Sequence, residues 1–340
     1  RRTIVELPYG SGAFSAELPL PQDAVTLLRP SDRTASVKIE DLVQDALESP
    51  IGTKRLPDLL DRSQSIAILF DDSTRSTPVN KILPVLLSAL NLNHHLENCL
   101  ILVCATGMHD PRHMASEQLV YRIGSSIYQK YKVISHDAYD PDLQAFSGVT
   151  SCQKTPLFIN RYVAEADFKI AIGRIAPHNE VGYSGGAKMI MPGVSDLWSI
   201  IHHHRGSQPQ KGIIDNDLRR DIEECGRLAG LNFIVNVMCN SKDEVVHVVA
   251  GDPLLAHRQG VAYGDAYVWG SQIQEKADIL VVALGSPGGD TFMTSMRALG
   301  MITTALKEDG TLIIISSGHK GWTKPFFRDI GWHVTQDILD

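Results

Sequence analysis

Residues 168–204 read FKIAIGRIAPHNEVGYSGGAKMIMPGVSDLWSIIHHH. The stretch opens on Phe168–Gly173, an apolar run with the length and composition of a buried strand. It closes on Asp196–His204, where Leu197, Ile200 and Ile201 recur at helical spacing behind a polar cap at Ser195. Strand, loop and helix in this order form the repeating unit of an α/β protein. On either side the pattern continues. Strands are predicted at Ser65–Phe70, Leu100–Cys104, Lys132–Ser135, Phe233–Met238, Ile279–Leu284 and Thr311–Ser316. Helices are predicted at Val79–Leu90, His113–Ile123, Asp217–Ala229 and from Phe292 to Lys307. Such alternation implies a largely parallel sheet with helices on both faces.

The N-terminus differs. Thr3–Leu7 and Ala13–Leu18 flank Tyr9-Gly10-Ser11-Gly12 and predict a β-hairpin. Leu255–Lys276 reads as a long helix or connector, and a new strand–loop–helix unit begins at Asp278. The expected organisation is two α/β domains with mainly parallel sheets and an active-site cleft between them. Residues 1–265 would form the N-terminal catalytic and cofactor domain. Residues 275–340 would form a C-terminal α/β domain, expected to be incomplete.

Composition narrows the function classes. The 340 residues are 43% hydrophobic and 21% charged, so a large core can form without disulfides or structural metals. A net charge of -7 with scattered Lys and Arg argues against a nucleic-acid partner. The five cysteines are odd in number and form no C-x-x-C pair, which disfavours a disulfide framework and a zinc–thiolate site. No apolar run approaches the ~20 residues needed to span a bilayer. Arg1-Arg2-Thr3-Ile4 has no signal-peptide core. A cytoplasmic enzyme without a membrane partner is expected.

In open α/β sheets ligands bind beyond the carboxyl ends of the strands, so polar residues there are the candidates. Asp71-Asp72-Ser73-Thr74-Arg75-Ser76-Thr77-Pro78 follows the first predicted strand. Thr77 and Pro78 suit a helix start, and Arg75 suits a carboxylate. The plainer reading is a capped turn with Arg75 paired to Asp71 or Asp72. Thr106-Gly107-Met108-His109-Asp110-Pro111 follows the next strand and puts His109 at the mouth of the sheet, as a catalyst or as an ordinary loop residue. His113 is a competitor that falls inside the helix. The third loop carries His178, three glycines and Lys188; its glycines permit close backbone approach to a bulky ligand, or simply a flexible lid. In the histidine triplet, the helical repeat aligns His204 with Leu197, Ile200 and Ile201 and turns His202 and His203 away. His204 is expected to point inward, as a ligand or as a satisfied core histidine.

Together these blocks resemble the nickel-dependent lactate racemase family. The carriers are Asp71–Pro78, the Gly-Met-His turn, and the run from His178 through Gly-Tyr-Ser-Gly-Gly-Ala-Lys and Met-Pro-Gly-Val to His204. The likeness covers residues 1 to 300 and weakens afterwards. It implies a nickel-pincer nucleotide cofactor and inversion at C2 of a small 2-hydroxy acid through reversible, proton-coupled hydride transfer. By that resemblance Lys188 would hold the cofactor covalently and His204 would ligate nickel. His109 and His178 would be the paired acid/base residues. Asp72, Thr74, Ser184, Gly185 and Gly186 would contact the cofactor, and Arg75 the substrate carboxylate. Partners would be the substrate and the pincer-cofactor biosynthesis enzymes, without which the protein would be made apo.

One segment departs from the family pattern. Where lactate-specific members carry Tyr-Gln-x-x-Lys, this chain reads Met293-Thr294-Ser295-Met296-Arg297. Arg297, as a substrate-binding residue, would present a fork in place of a point charge, which implies a 2-hydroxy acid other than lactate; a solvated helix charge is the plainer reading. Two further function classes stand beside the racemase: a zinc hydrolase or lyase built on His109, His178 and His204, and a non-catalytic nucleotide-binding protein of the same fold.

Overall fold

The computed structural model describes residues 2–28, 34–61, 64–91, 94–205, 212–240, 242–269, 273, 275–286, 289–290, 292–296, 305–319 and 321. The chain opens with the predicted hairpin, β1 (Thr3–Tyr9) antiparallel to β2 (Gly12–Leu18). The strands β3 (Ile66–Asp71), β4 (Leu100–Ala105) and β5 (Lys132–Ser135) follow. Next come an antiparallel pair, β6 (Gln144–Val149) with β7 (Pro156–Asn160), and then β8 (Phe168–Arg174). Inside the glycine loop lie the two-residue strands β9 (Pro177–His178) and β10 (Gly182–Tyr183). The strands β11 (Phe233–Cys239), β12 (Val245–Gly251), β13 (Ala277–Leu284) and β14 (Leu306–Ser316) complete the set.

Six strands form the central sheet in the order β12-β11-β8-β3-β4-β5. All are parallel except β12, which returns antiparallel along β11. Helices cover both faces, so the inner strands are buried on both sides and read as unbroken apolar runs. Alternate residues of β3 separate into two cores. Ile66, Ile68 and Phe70 pack with the helices Ile39–Glu48 and Val79–Leu90; Ala67 and Leu69 share the other layer with Ile190, Ile200 and Ile222. The expected mixed α/β class with a mainly parallel sheet is the observed one.

Two compact units divide the chain: residues 31–270, and residues 1–30 together with 271–340. The chain thus passes between units twice, whereas the sequence reading places one boundary between 265 and 275. In the smaller unit β13 runs parallel to β14, and Gly10 bridges to Gly285.

Several local expectations need correction. The strand expected from Thr311 begins at Leu306, so Leu306 and Lys307 are extended where a helix end was predicted. The described helix there is Phe292–Ser295. The segment expected as helix from His113 is a short 3-10 turn, Pro111–Met114, followed by a helix at Ser116–Ile123. Thr77 does not cap its helix; its hydroxyl donates to Asp71 Oδ2 at 2.5 Å. Asp196, rather than Ser195, caps the helix Leu197–His203, accepting from the backbone N–H groups of Trp198 and Ser199.

Candidate active site

Because β4, β3 and β8 are parallel neighbours, the loops after them all leave the sheet at the carboxyl ends of the strands. The loops after β4 and β8 are tied directly, through Gly107 N–H donating to Gly193 O at 2.9 Å.

The loop after β3 turns on two buried carboxylates with different partners. Asp71 forms an ion pair with Arg122 and accepts from Thr77. Burial raises its pKa, outweighing the opposing pull of Arg122 and Thr77. Asp72 Oδ1 accepts from Thr74 N at 3.0 Å and Thr74 Oγ1 at 2.5 Å, while Oδ2 pairs with His109 Nδ1 at 2.5 Å. Burial pushes the Asp72 carboxyl up, but the hydrogen bond and charge of His109, with Thr74 and Arg75, bring it below the usual range. A carboxylate fixed on Nδ1 sets the His109 tautomer and orients the ring. Arg75 is exposed, donates to Thr74 Oγ1 at 2.9 Å and makes no ion pair among the described residues. The plainer expectation for Arg75, a pair with Asp71 or Asp72, is therefore not what forms.

The glycine loop brings His178 and Lys188 together. His178 Nδ1 accepts from Glu180 N–H at 3.3 Å, and its Nε2 lies 3.3 Å from Lys188 Nζ. Lys188 sits in a 3-10 turn, Gly186–Met189, and is half-buried. Ser184 is used within the loop: its hydroxyl donates to Arg174 O at 2.8 Å and accepts from Ala176 N. Gly185 and Gly186 have positive φ, and the Gly186 N–H donates to Asn236 Oδ1 at 2.7 Å. These two glycines thus serve tight packing behind the loop as well as whatever lies in front of it.

The histidine triplet is arranged differently from expectation. The buried stripe of the helix is Ser199, Ile200 and His203, so the inward histidine is His203. Its Nδ1 pairs with Asp221 Oδ2 at 2.7 Å, with both side chains fully buried. His204 follows as the helix cap, with 28% of its side chain exposed. Its Nδ1–H donates to Ile200 O at 2.7 Å, so the Nε2 lone pair is the available one; Glu180 Oε2 lies 3.7 Å from it. Burial lowers the His204 pKa, the charges of His203 and Lys188 lower it further, and the Ile200 carbonyl and Glu180 oppose them. A neutral imidazole with an open Nε2 is the ligand form of histidine.

Other residues around these loops carry no signal in sequence order. His136, fully buried, donates from Nε2 to Ser195 O at 2.8 Å; burial pulls its pKa down to about 4. Arg174, at the end of β8, pairs with Asp243 at 2.6 Å and donates to Ser76. Arg219, Asn236 and His257 converge behind the glycine loop. Asn236 and His257 are polar on otherwise apolar buried faces, the one available hint. Arg297 lies outside the described residues, as do the side chains of Met293 and Thr294. Among the described residues no group of three or more His, Cys, Asp or Glu is placed to hold a metal ion, so His109, His178 and His204 are not gathered into a three-histidine zinc site. None of the described helices is long and apolar enough to cross a membrane.

Known proteins are similar to this chain in sequence and fold. The family model of the lactate racemase N-terminal domain matches residues 9–213. The lactate racemase of Thermoanaerobacterium thermosaccharolyticum is 30% identical over 336 residues, 95% of this chain and 77% of its own. That of Lactiplantibacillus plantarum is 26% identical, over 93% of this chain and 75% of its own. The solved lactate racemase apoprotein from T. thermosaccharolyticum superposes with a TM-score of 0.84 at 28% identity, covering 95% of this chain and 76% of that one. A Thermotoga maritima structure, at 18% identity and a TM-score of 0.61, shares the fold. Matched by the family model through every loop described above, and similar to racemases along nearly its whole length, the chain belongs to the lactate racemase family of isomerases.

Proposed function

We propose that the protein is a racemase or epimerase of 2-hydroxy acids that works with a nickel-pincer nucleotide. One observation carries the reading: Lys188 Nζ lies beside His178 Nε2, in a loop whose following helix ends on His204 with its Nε2 lone pair available. The donor set suits that cofactor. A pincer brings its own carbon and sulfur donors to nickel, so a single imidazole is enough, and softer nickel accepts nitrogen and sulfur together. Lys188 would hold the group covalently and His204 Nε2 would ligate the metal. When bound, the group supplies a hydride acceptor and donor at the substrate's C2.

The protein's own residues supply the proton chemistry. A 2-hydroxy acid releases its hydroxyl proton as C2 becomes planar, and a histidine takes it. His109 suits this on one face, because the Asp72 carboxylate stabilises the imidazolium that forms. His178 is the counterpart for the other face. Arg75, exposed and outside any ion pair among the described residues, would clamp the substrate carboxylate and fix C2 between the two imidazoles. The substrate class is 2-hydroxy acids; the Met293–Arg297 segment favours one other than lactate. The partners are the enzymes that make the cofactor, and the compartment is the cytoplasm, where they would act.

The test is the intact mass of protein produced with and without the cofactor-biosynthesis enzymes. An adduct that maps to Lys188, with stoichiometric nickel, supports the reading. Stoichiometric zinc without an adduct overturns it. Chiral chromatography over a panel of single-enantiomer 2-hydroxy acids then names the substrate.

A further inference from the structure

The backbone of the glycine loop just before Lys188 is gripped by three buried side chains from three different elements. Arg219, on the helix Asp217–Leu228, is fully buried and donates from Nη1 to Tyr183 O at 3.2 Å and to Gly185 O at 3.3 Å. Asn236, on β11, accepts the Gly186 N–H. His257, on the helix Leu255–Tyr267, donates from Nε2 to Ser184 O at 2.8 Å. Four consecutive residues, Tyr183 to Gly186, are thus fixed by hydrogen bonds from behind, and Lys188 begins two residues later.

The grip is itself braced. Arg219 Nε donates to Glu223 at 3.1 Å, and Arg258 joins Glu223 to Asp215. A buried guanidinium is costly even when paired, and stability alone would be served as well by an apolar residue. Arg219 Nη2 and His257 Nδ1 are both buried without a hydrogen-bond partner. The site therefore tolerates two unsatisfied polar atoms, a cost that marks a positioning role. The fit also leaves no slack: a Cβ on Gly186 would come within 2.8 Å of Arg219 Nη2 and 2.9 Å of the His257 ring.

We propose that Arg219, with Asn236 and His257, is a positioning residue that fixes where the Lys188 amine is delivered. The inference rests on Lys188 as the attachment point, yet it is testable on apo protein, apart from any cofactor. Lys188 is half-buried and Lys81 exposed, so the rate of amine acylation at each, read by peptide mass mapping, reports loop release at Lys188 against an internal standard.

Each hydrogen bond lost with its carbonyl left buried shifts the loop's opening equilibrium by about tenfold. Arg219→Gln and His257→Leu should therefore raise the Lys188 to Lys81 rate ratio about tenfold or more. His257→Gln can still donate to Ser184 O and should restore the wild-type ratio. Leu86→Ala, in the core layer on the other face of the sheet, is the control for lost stability and should leave the ratio unchanged. If Arg219→Gln does not fold, the His257 pair decides alone. A wild-type ratio in His257→Leu, or an equal rise in Leu86→Ala, overturns the proposal. An absent adduct in loaded protein would instead overturn the assigned function and leave this result standing.

Discussion

His109 and His178 stand at the ends of strands on either side of β3, and they are held in unlike ways. At His109 a buried carboxylate takes Nδ1 at 2.5 Å, so orientation comes with negative charge. At His178 a main-chain N–H of Glu180 addresses Nδ1, and Nε2 faces an amine. The two histidines thus differ in what orients them, a side-chain carboxylate at His109 and a main-chain N–H at His178. Inversion in the two directions need not pass through symmetric barriers even when the overall equilibrium constant is one.

Substitutions can separate the two histidines. The largest effect is expected from Lys188→Ala, with complete loss of the covalent adduct in intact mass and of racemisation, and unchanged folding. Asp72→Asn removes charge and tautomer control from His109 and should lower kcat by about 10²–10⁴ with KM little changed; steady-state kinetics in both directions checks this, and equal retention of kcat would refute a role for the carboxylate. Gly186→Ala should destabilise the fold by about 2–3 kcal/mol, because the positive φ and the crowding at Arg219 add together; denaturant midpoints measure it.

A pH effect follows from His136. Burial holds its folded pKa at about 4, below the ordinary imidazole value of 6.5. The unfolded chain therefore binds the extra proton between those values, and stability is full above pH 6.5 and falls as pH drops toward 4. At pH 5 the loss from this group is about 2 kcal/mol. His257, also held neutral by burial and by Arg219, adds with the same sign. Replacing His136 with Gln should flatten the slope; an equally steep slope would assign it elsewhere. The smallest effect belongs to Glu180→Gln. Glu180 meets His178 through its backbone and His204 only at 3.7 Å, so kcat should change within about threefold.

The central sheet was legible because β3, β4, β8 and β11 are buried on both faces and therefore read as unbroken apolar runs. The strand β12 is just as apolar, yet it is absent from the predicted strands, because it returns antiparallel after a tight turn with no helix to set it off from β11. The β6–β7 pair was missed for a different reason: Phe146 and Phe158 are exposed and the register slips near Gly148, so no clean alternation marks it. Within the site, the loops that carry Lys188, His178 and His109 could be found from sequence, because loop position relative to a strand is a local property. Partners distant in sequence could not. Asp72 reaches His109 across 37 positions, and its role as that histidine's anchor exists only in the fold. The triplet shows the same limit. An apolar stripe on Leu197, Ile200 and Ile201 points to His204, but the helix is rotated by polar anchors, Ser199 on Pro156 O and His203 on Asp221.

The order β8-β3-β4 also acts as a ruler. Neighbouring strands are about 4.8 Å apart, so the strands that launch the two histidine loops are separated by about 10 Å, with the Arg75 loop between them. Backbone hydrogen bonding fixes that spacing, and side-chain changes cannot widen it. A family built on this sheet can alter the side chains on its loops, while the spacing of the strands that carry those loops is inherited unchanged.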